Sequence, residues 1–103
     1  MLEFAWICDR IKNDEYFFSK HGDNERQNDS LSIDEVEEAV LSGRILETYP
    51  DTGRGISCLI AGFTNNGKPI HIVCGERKEW LVIITIYIPT APKFKSLFER
   101  GEK

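Results

Sequence analysis

The type of fold follows from residues 57–88, SCLIAGFTNNGKPIHIVCGERKEWLVIITIYI, in which apolar residues recur at every second position. A period of two is typical of β-strands with one buried face. The dipeptide Asn66-Gly67 favours a type I′ turn, because both central residues of that turn need a positive φ. The segment therefore predicts an antiparallel meander, with strands at Ser57–Thr64, Lys68–Gly75 and Trp80–Ile88.

A helix and a further strand are predicted just before this meander. Ser32 and Glu35 have the spacing of a capping box, in which each side chain bonds the backbone N–H of the other residue. Apolar side chains then follow on one side of the helix, and Gly43 suits its end. The stripe consists of Ile33, Val36, Ala39 and Val40, and the strand that follows is Arg44–Tyr49.

The N-terminal segment and the tail are less regular. Leu2–Ile11 carries apolar residues at helical spacing, which predicts an amphipathic first helix. Tyr16–Phe18 fits either a short strand or the start of a second helix, and the polar residues 21–28 favour one or two helical turns. The tail, Lys93–Lys103, is either a short helix or disordered.

Length and composition predict one domain. A chain of 103 residues is long enough for a single two-layer core. We expect an α+β domain spanning residues 1–103, with its core at about 2–90 and a tail at 91–103. In this arrangement, N-terminal helices pack on one face of a four-stranded antiparallel sheet.

Charge and cysteine content narrow the possible functions. The net charge of −4 argues against a large nonspecific nucleic-acid surface, although it allows a local basic cleft. The three cysteines are scattered and form no Cys-x-x-Cys pair, which is typical of buried thiols in a reducing compartment. Since signal-peptide and membrane-span patterns are also missing from the sequence, we expect a cytoplasmic protein without a cofactor.

The hairpin loops predict which side chains share a face. A two-residue loop at Asn66-Gly67 places Gly62 opposite His71, and a three-residue loop at 77–79 places His71 opposite Thr85. The core face then consists of Leu59, Ala61, Phe63, Ile70, Ile72, Cys74, Val82, Ile84 and Ile86. The other face has an apolar end, with Ile60, Val73, Leu81 and Ile83, and a polar end, with Gly62, Thr64, His71, Thr85 and Tyr87.

The polar end is the first candidate site. A histidine, hydroxyl groups and a phenol around a gap left by Gly62 suit acid–base chemistry. The alternative is structural: His71 is a hydrogen-bonded strand residue, Thr85 and Tyr87 are good strand formers, and Gly62 marks a bulge.

The polar helical segment supplies a second candidate pair. His21 has the chemistry of an acid–base group, and the planar guanidinium of Arg26 suits a phosphate clamp. Arg54 and Lys68, in or beside loops, would add positive charge for substrate binding. The alternative is an ordinary solvated helix surface. Two histidines without a third ligand at metal-binding spacing predict no metal site.

These residues also resemble a known family. The pattern consists of Lys20-His21 and Arg26, the segment from Ser32 to Gly43, Cys58-Leu59-Ile60-x-Gly62-Phe63, Pro69 to Cys74, and Ile83 to Tyr87. In order and spacing it resembles the bacterial domain-of-unknown-function family 4258, over roughly residues 16–90. The resemblance implies a relation to RelE and BrnT toxins, a RelE/barnase-like toxin fold, RNA as substrate and a zinc-finger antitoxin as partner. The family's recurrent polar positions correspond here to His21, Arg26, His71, Thr85 and Tyr87.

Three functions follow as hypotheses. The first is a metal-independent endoribonuclease toxin of a bacterial toxin–antitoxin pair, with His21, His71, Thr85 and Tyr87 as catalytic residues and Arg26, Arg54 and Lys68 as substrate-binding residues. The second is a toxin-like interaction module that binds a protein or small ligand without catalysis. The third is a purely structural domain. Asp29-Ser30-Leu31 stands where many family members carry an arginine and a glycine, which weakens the basic surface that RNA cleavage needs.

Overall fold

The computed structural model describes residues 2–51, 53, 55–89, 94–96 and 99–100. Within these residues the chain forms three helices and seven strands. In chain order they are α1 (Phe4–Lys12), β1 (Tyr16–Phe18), α2 (Lys20–Asn28), α3 (Ile33–Ser42), β2 (Arg44–Tyr49), β3 (Ser57–Phe63), β4 (Pro69–Arg77), β5 (Trp80–Tyr87), β6 (Phe94–Ser96) and β7 (Glu99–Arg100).

The α+β class is confirmed, but the prediction of a four-stranded antiparallel sheet is wrong. The main sheet has five strands in the order β1-β5-β4-β3-β2, and β1 runs parallel to β5. Tyr16 pairs with Leu81 and Phe18 with Ile83. The sheet is therefore mixed. A strand of three residues is too short for alternation to distinguish it from a helix start, which is why the sequence left Tyr16–Phe18 open.

Helix α2 begins beside β5, just after the stretch of β5 that pairs with β1. The backbone N–H of Ser19 donates to Ile83 O at 2.9 Å, and its hydroxyl donates to Ile84 O at 3.0 Å. The same hydroxyl caps the helix by accepting from Gly22 N at 3.0 Å. A Cβ on Gly22 would lie 2.6 Å from Ile83 O, so only glycine allows the helix to come this close to the strand.

The capping box at the start of α3 is confirmed. Ser32 Oγ accepts from Glu35 N at 3.0 Å, and Glu35 Oε1 accepts from Ser32 N at 2.9 Å. Of the predicted stripe, Val36, Ala39 and Val40 are fully buried, whereas Ile33 in the first turn is 48% exposed. The helix thus covers the sheet with its middle and last turns.

The β3–β4 hairpin turns at the predicted place but over three residues instead of two. Thr64 N donates to Lys68 O, and Gly67 N donates to Thr64 O, both at 2.9 Å. Within the described loop 65–67, only Gly67 has a positive φ, at 87°. This is the geometry of a type I turn followed by a left-handed residue, not of a type I′ turn.

One extra loop residue changes the register of β3 against β4. Ala61, not Gly62, lies opposite His71, and Ile60 lies opposite Ile72. Successive side chains of a strand point to opposite faces, so a shift of one residue exchanges the two faces of β3. The predicted pairing of Gly62 with His71 is therefore wrong.

The β4–β5 hairpin contains the type I′ geometry instead. Lys78 and Glu79 have φ values of 52° and 69°, and Arg77 pairs directly with Trp80. The predicted three-residue loop is therefore wrong. A bulge at 84 shifts the ladder again, so that His71 lies opposite Tyr87 instead of Thr85. This second error amounts to two positions, which leaves Thr85 and Tyr87 on the face where the sequence put them.

Helices α1 and α3 cover one face of the sheet, which we call the helix face; the other is the His71 face. Helix residues such as Ile7, Ile11, Val36 and Val40 pack there in one core with the strands. The buried strand residues of the helix face are Cys58, Ile60, Ile70, Ile72, Cys74, Leu81, Ile83 and Ile86. The prediction is correct for Ile70, Ile72, Cys74 and Ile86, but Leu59, Ala61, Phe63, Val82 and Ile84 belong to the His71 face.

The tail differs from its prediction where it is described. Residues 94–96 and 99–100 form a separate two-stranded antiparallel ladder, neither a helix nor a disordered chain. Among the described residues no helix has both the length and the apolar character needed to cross a membrane.

Candidate functional site

His71 and Tyr87 form the centre of the site. They are cross-strand partners on β4 and β5, and their rings meet edge to face with centroids 5.3 Å apart. His71 Nδ1 lies 3.4 Å from Tyr87 Oη. His71 is fully buried, while Tyr87 is half-buried. The phenol is therefore the more accessible end of a histidine–tyrosine pair.

Thr85 lies beside this pair, and two other predicted neighbours do not. Thr85 is opposite Val73, on the same face as His71 and Tyr87. Gly62 lies on the helix face, where a Cβ would stand 1.8 Å from Ala39 O, so the predicted gap beside His71 is wrong. Gly62 allows α3 to approach the sheet. Thr64 uses its hydroxyl within the hairpin loop, where it accepts from Lys68 N at 2.9 Å.

The second predicted histidine lies on α2, beside the end of β5. His21 Nε2 is 3.3 Å from Glu25 Oε1, and the His21 side chain is 67% exposed. The same Glu25 oxygen accepts from Ile86 N at 2.9 Å. His71 is on β4, along one edge of β5, and Glu25 bonds the other edge, so the two histidines lie on either side of the last residues of β5.

The guanidinium of Arg26 is bonded to other groups of the protein. Its Nε and Nη2 donate to Asp23 Oδ1 at 3.0 and 2.9 Å, and its Nη1 donates to Leu31 O at 2.9 Å. The guanidinium also lies over the ring of Phe18, 5.6 Å from its centroid. Three of its five N–H groups are thus engaged inside the protein, where they join α2 to the segment before α3.

The other two predicted substrate-binding cations are not at His71. Lys68 Nζ lies 3.4 Å from Glu35 Oε2 of α3, so its side chain extends over the helix face. The backbone bond from Ser32, followed by the Lys68 charge, holds the pKa of Glu35 below its usual value. Arg54 lies outside the described residues.

One protein family matches the segment that contains this site. Residues 18–88 match the protein family described as Domain of unknown function (DUF4258). The chain belongs to the DUF4258 family. The DUF4258 segment runs from the end of β1 past the end of β5 and therefore contains both histidines and Tyr87. No match was found among curated proteins or among solved structures.

Glu25 is a residue of this DUF4258 site to which the sequence assigned no role. Its spacing of four from His21 was visible, since residues four apart face each other on a helix. Its bond to Ile86 N joins residues 61 positions apart and had no signal in the sequence. Among the residues described, no three His, Cys, Asp or Glu side chains are grouped closely enough to hold a metal ion.

A groove of about 340 Å³ continues the His71 face toward the other end of the strands. Val73 and Ile84 form its near side, next to Thr85, and the rest of the lining includes Tyr49, Ile56, Glu76 and Arg77. Pockets of this volume and mainly apolar lining are common in ligand-binding sites. In this DUF4258 chain the groove and the histidine–tyrosine pair lie side by side.

Proposed function

We propose that this DUF4258 protein is a metal-independent endoribonuclease of the toxin type, paired with an antitoxin. The observation that carries the proposal is the His71–Tyr87 pair, with Nδ1 and Oη 3.4 Å apart. RNA cleavage without a metal proceeds by attack of the ribose 2′-hydroxyl on the adjacent phosphorus. It needs a base for that hydroxyl, an acid for the leaving 5′-oxygen and donors for the charged phosphorane.

We assign these roles by accessibility. Tyr87 is the group that RNA reaches, and the buried His71 exchanges a proton with its phenol. His21 is exposed and supplies the second acid–base group, while Glu25 fixes the orientation of its ring through Nε2. Thr85, between the groove and Tyr87, donates a hydrogen bond from its hydroxyl to a phosphate oxygen. This division explains why a fully buried histidine takes part in chemistry on a large substrate.

The groove supplies the binding part of the proposal. Tyr49 offers an aromatic surface on which a base stacks, and Arg77 offers a cation for the backbone phosphate. The groove replaces the basic clamp expected from Arg26 and Lys68, whose charges are paired within the protein.

Cleavage of a labelled RNA in EDTA tests the proposal. We expect Tyr87→Phe to lower kcat by about 100-fold or more, because one proton-transfer group is lost. Tyr16→Phe is the matched control, since the Tyr16 hydroxyl bonds Glu37 and not a site residue. Equal cleavage by wild type and Tyr87→Phe, or cleavage only with an added divalent metal, contradicts the mechanism.

A second function is favoured by the charges. The net charge is −4, and Arg26 and Lys68 are engaged with carboxylates. These features suit a non-catalytic module whose His71 face binds a protein, such as a zinc-finger antitoxin, or a small ligand. Induced expression in a bacterial host separates the two functions. Growth arrest by the wild type but not by His21→Ala/His71→Ala supports the ribonuclease, and normal growth with both supports the module.

A further inference from the structure

Two of the three cysteines meet in the core. Cys58 on β3 and Cys74 on β4 are direct cross-strand partners, and their Sγ atoms lie 3.8 Å apart. Both side chains are fully buried on the helix face. Cys8 lies on α1 and takes no part in this contact.

We propose that Cys58 and Cys74 form a redox-active dithiol site that closes an intramolecular disulfide between β3 and β4. Directly opposed residues of antiparallel strands have Cα atoms about 4.5 or 5.5 Å apart. A disulfide requires a Cα separation of about 4.4–6.8 Å and an S–S bond of about 2.05 Å. The two sulfur atoms therefore reach bonding distance by side-chain rotation, without a shift of the strands.

The two thiols are chemically different. The hydrogen bond with Cys74 lowers the pKa of Cys58. The same bond, followed by burial, raises the pKa of Cys74 well above its ordinary value. Because the thiolate is the reactive form, whichever of the two sulfurs is deprotonated first attacks the oxidant, and the other resolves the mixed disulfide.

A low-molecular-weight disulfide such as oxidised glutathione is the oxidant. The thiolate of one of the two cysteines attacks one glutathione sulfur, the glutathione S–S bond breaks, and one glutathione thiolate leaves. The other cysteine sulfur then attacks the protein sulfur of the mixed disulfide and expels the second glutathione thiolate. The two protons of the protein thiols pass to the two glutathione molecules, so two electrons move from the protein to the oxidant. Because the sulfurs are buried, this exchange requires local opening of the hairpin or occurs during folding.

The site is independent of the proposed ribonuclease. Cys74 and His71 are on the same strand but on opposite faces of the sheet, so the disulfide does not enter the His71 face. Closing it cross-links the β3–β4 hairpin, which restricts the unfolded chain and stabilises the fold. The expected effect is a folded state that becomes more stable as the surroundings become more oxidising.

Refolding of the reduced full-length chain in glutathione buffers of increasing potential tests the proposal. Refolding exposes the thiols, so burial does not prevent reaction. We expect two thiols to disappear together, with Cys58 and Cys74 linked in peptide mapping and Cys8 still open to alkylation. The melting temperature of the oxidised protein should rise by about 5 °C or more and return to its original value with dithiothreitol.

Variants make the result specific. Cys8→Ala should keep the linkage, and Cys58→Ala should lose it. If Cys58→Ala does not fold, the peptide map of the wild type, in which Cys8 can compete for either partner, decides the pairing by itself. Three alkylatable thiols in the most oxidising buffer, a linkage that includes Cys8, or an oxidised form that melts no higher than the reduced one would overturn the proposal.

Discussion

The two faces of the sheet have different contents and constraints. On the helix face the side chains are apolar, and α3 lies so close that Gly62 has no space for a Cβ. The His71 face carries His71, Thr85 and Tyr87 together with a groove of about 340 Å³. Glycine and apolar residues on the first face thus serve packing. On the second face Thr85 and Tyr87 are half-buried, and His71 is fully buried beside them.

The largest difference in stability between the two faces is expected when one glycine on each face is replaced by alanine. Gly62→Ala puts a Cβ 1.8 Å from Ala39 O, so α3 must move, and we expect a loss of about 3 kcal/mol in the free energy of unfolding. Gly75→Ala is the matched change on the His71 face, where the nearest atom is Ile56 O at 3.0 Å. It should cost about 1 kcal/mol or less. Urea unfolding measures both, and equal losses would contradict the assignment of faces.

The polar residues of the His71 face should contribute little to stability. Tyr87→Phe removes the hydroxyl that lies 3.4 Å from His71 Nδ1, and one such contact contributes about 1 kcal/mol. Its unfolding midpoint should therefore move slightly while the proposed RNA cleavage falls strongly. A loss above about 3 kcal/mol in urea would instead make Tyr87 a structural residue.

The β4–β5 turn sharpens the comparison because it sets which residues share a face. Glu79 adopts a φ of 69°, which costs a residue with a Cβ about 1 kcal/mol. Glu79→Gly removes that strain but makes the unfolded chain more flexible, so we expect a gain of about 0.5 kcal/mol. Gly67→Ala is the reverse change in the other hairpin, at a φ of 87°, and should destabilise the protein. Thermal unfolding of both variants checks the opposite signs.

A small pH effect is expected from the helix face. The pKa of Glu35 is lower in the folded protein than its ordinary value of 4.5, so its contribution to stability is complete above that pH and lost as the pH falls below it. Glu35→Gln keeps the capping box but removes the charge that faces Lys68. Melting temperatures of the wild type and variant should therefore converge as the pH falls below 4.5. A difference that grows on acidification would contradict this sign.

The sequence predicted those parts of the fold whose signals are local. The capping box of Ser32 and Glu35 and the position of both hairpins depend on neighbouring residues, and the structure has them where expected. Loop length was not predictable, because Asn66-Gly67 allows either a two-residue or a three-residue loop. The strand at Tyr16–Phe18 was undecided because its partner, β5, is distant in sequence.

Part of the candidate site was predicted correctly because an even register error leaves side chains on the predicted face of a strand. The error at the β4–β5 ladder is two positions at His71, and a shift of two keeps every side chain on its face. His71, Thr85 and Tyr87 therefore lie together as predicted. The error at the β3–β4 ladder is one position, which moved Gly62 to the other face. The Glu25 carboxylate lies at the site because it accepts a hydrogen bond from the distant Ile86 N, and no local sequence pattern indicates such a bond.

The parallel pairing of β1 with β5 also sets the order in which the protein can fold. The hydrogen bond from Ser19 to Ile84 closes a loop of 65 positions, and the β1–β5 ladder lies next to it. During synthesis, β1 and the start of α2 therefore cannot pair with β5 until almost the entire meander has been made. Contacts so distant in sequence slow folding, because the entropy of closing the loop is lost before the contacts form. The N-terminal third of the chain is thus expected to be the last part to become protected against hydrogen exchange.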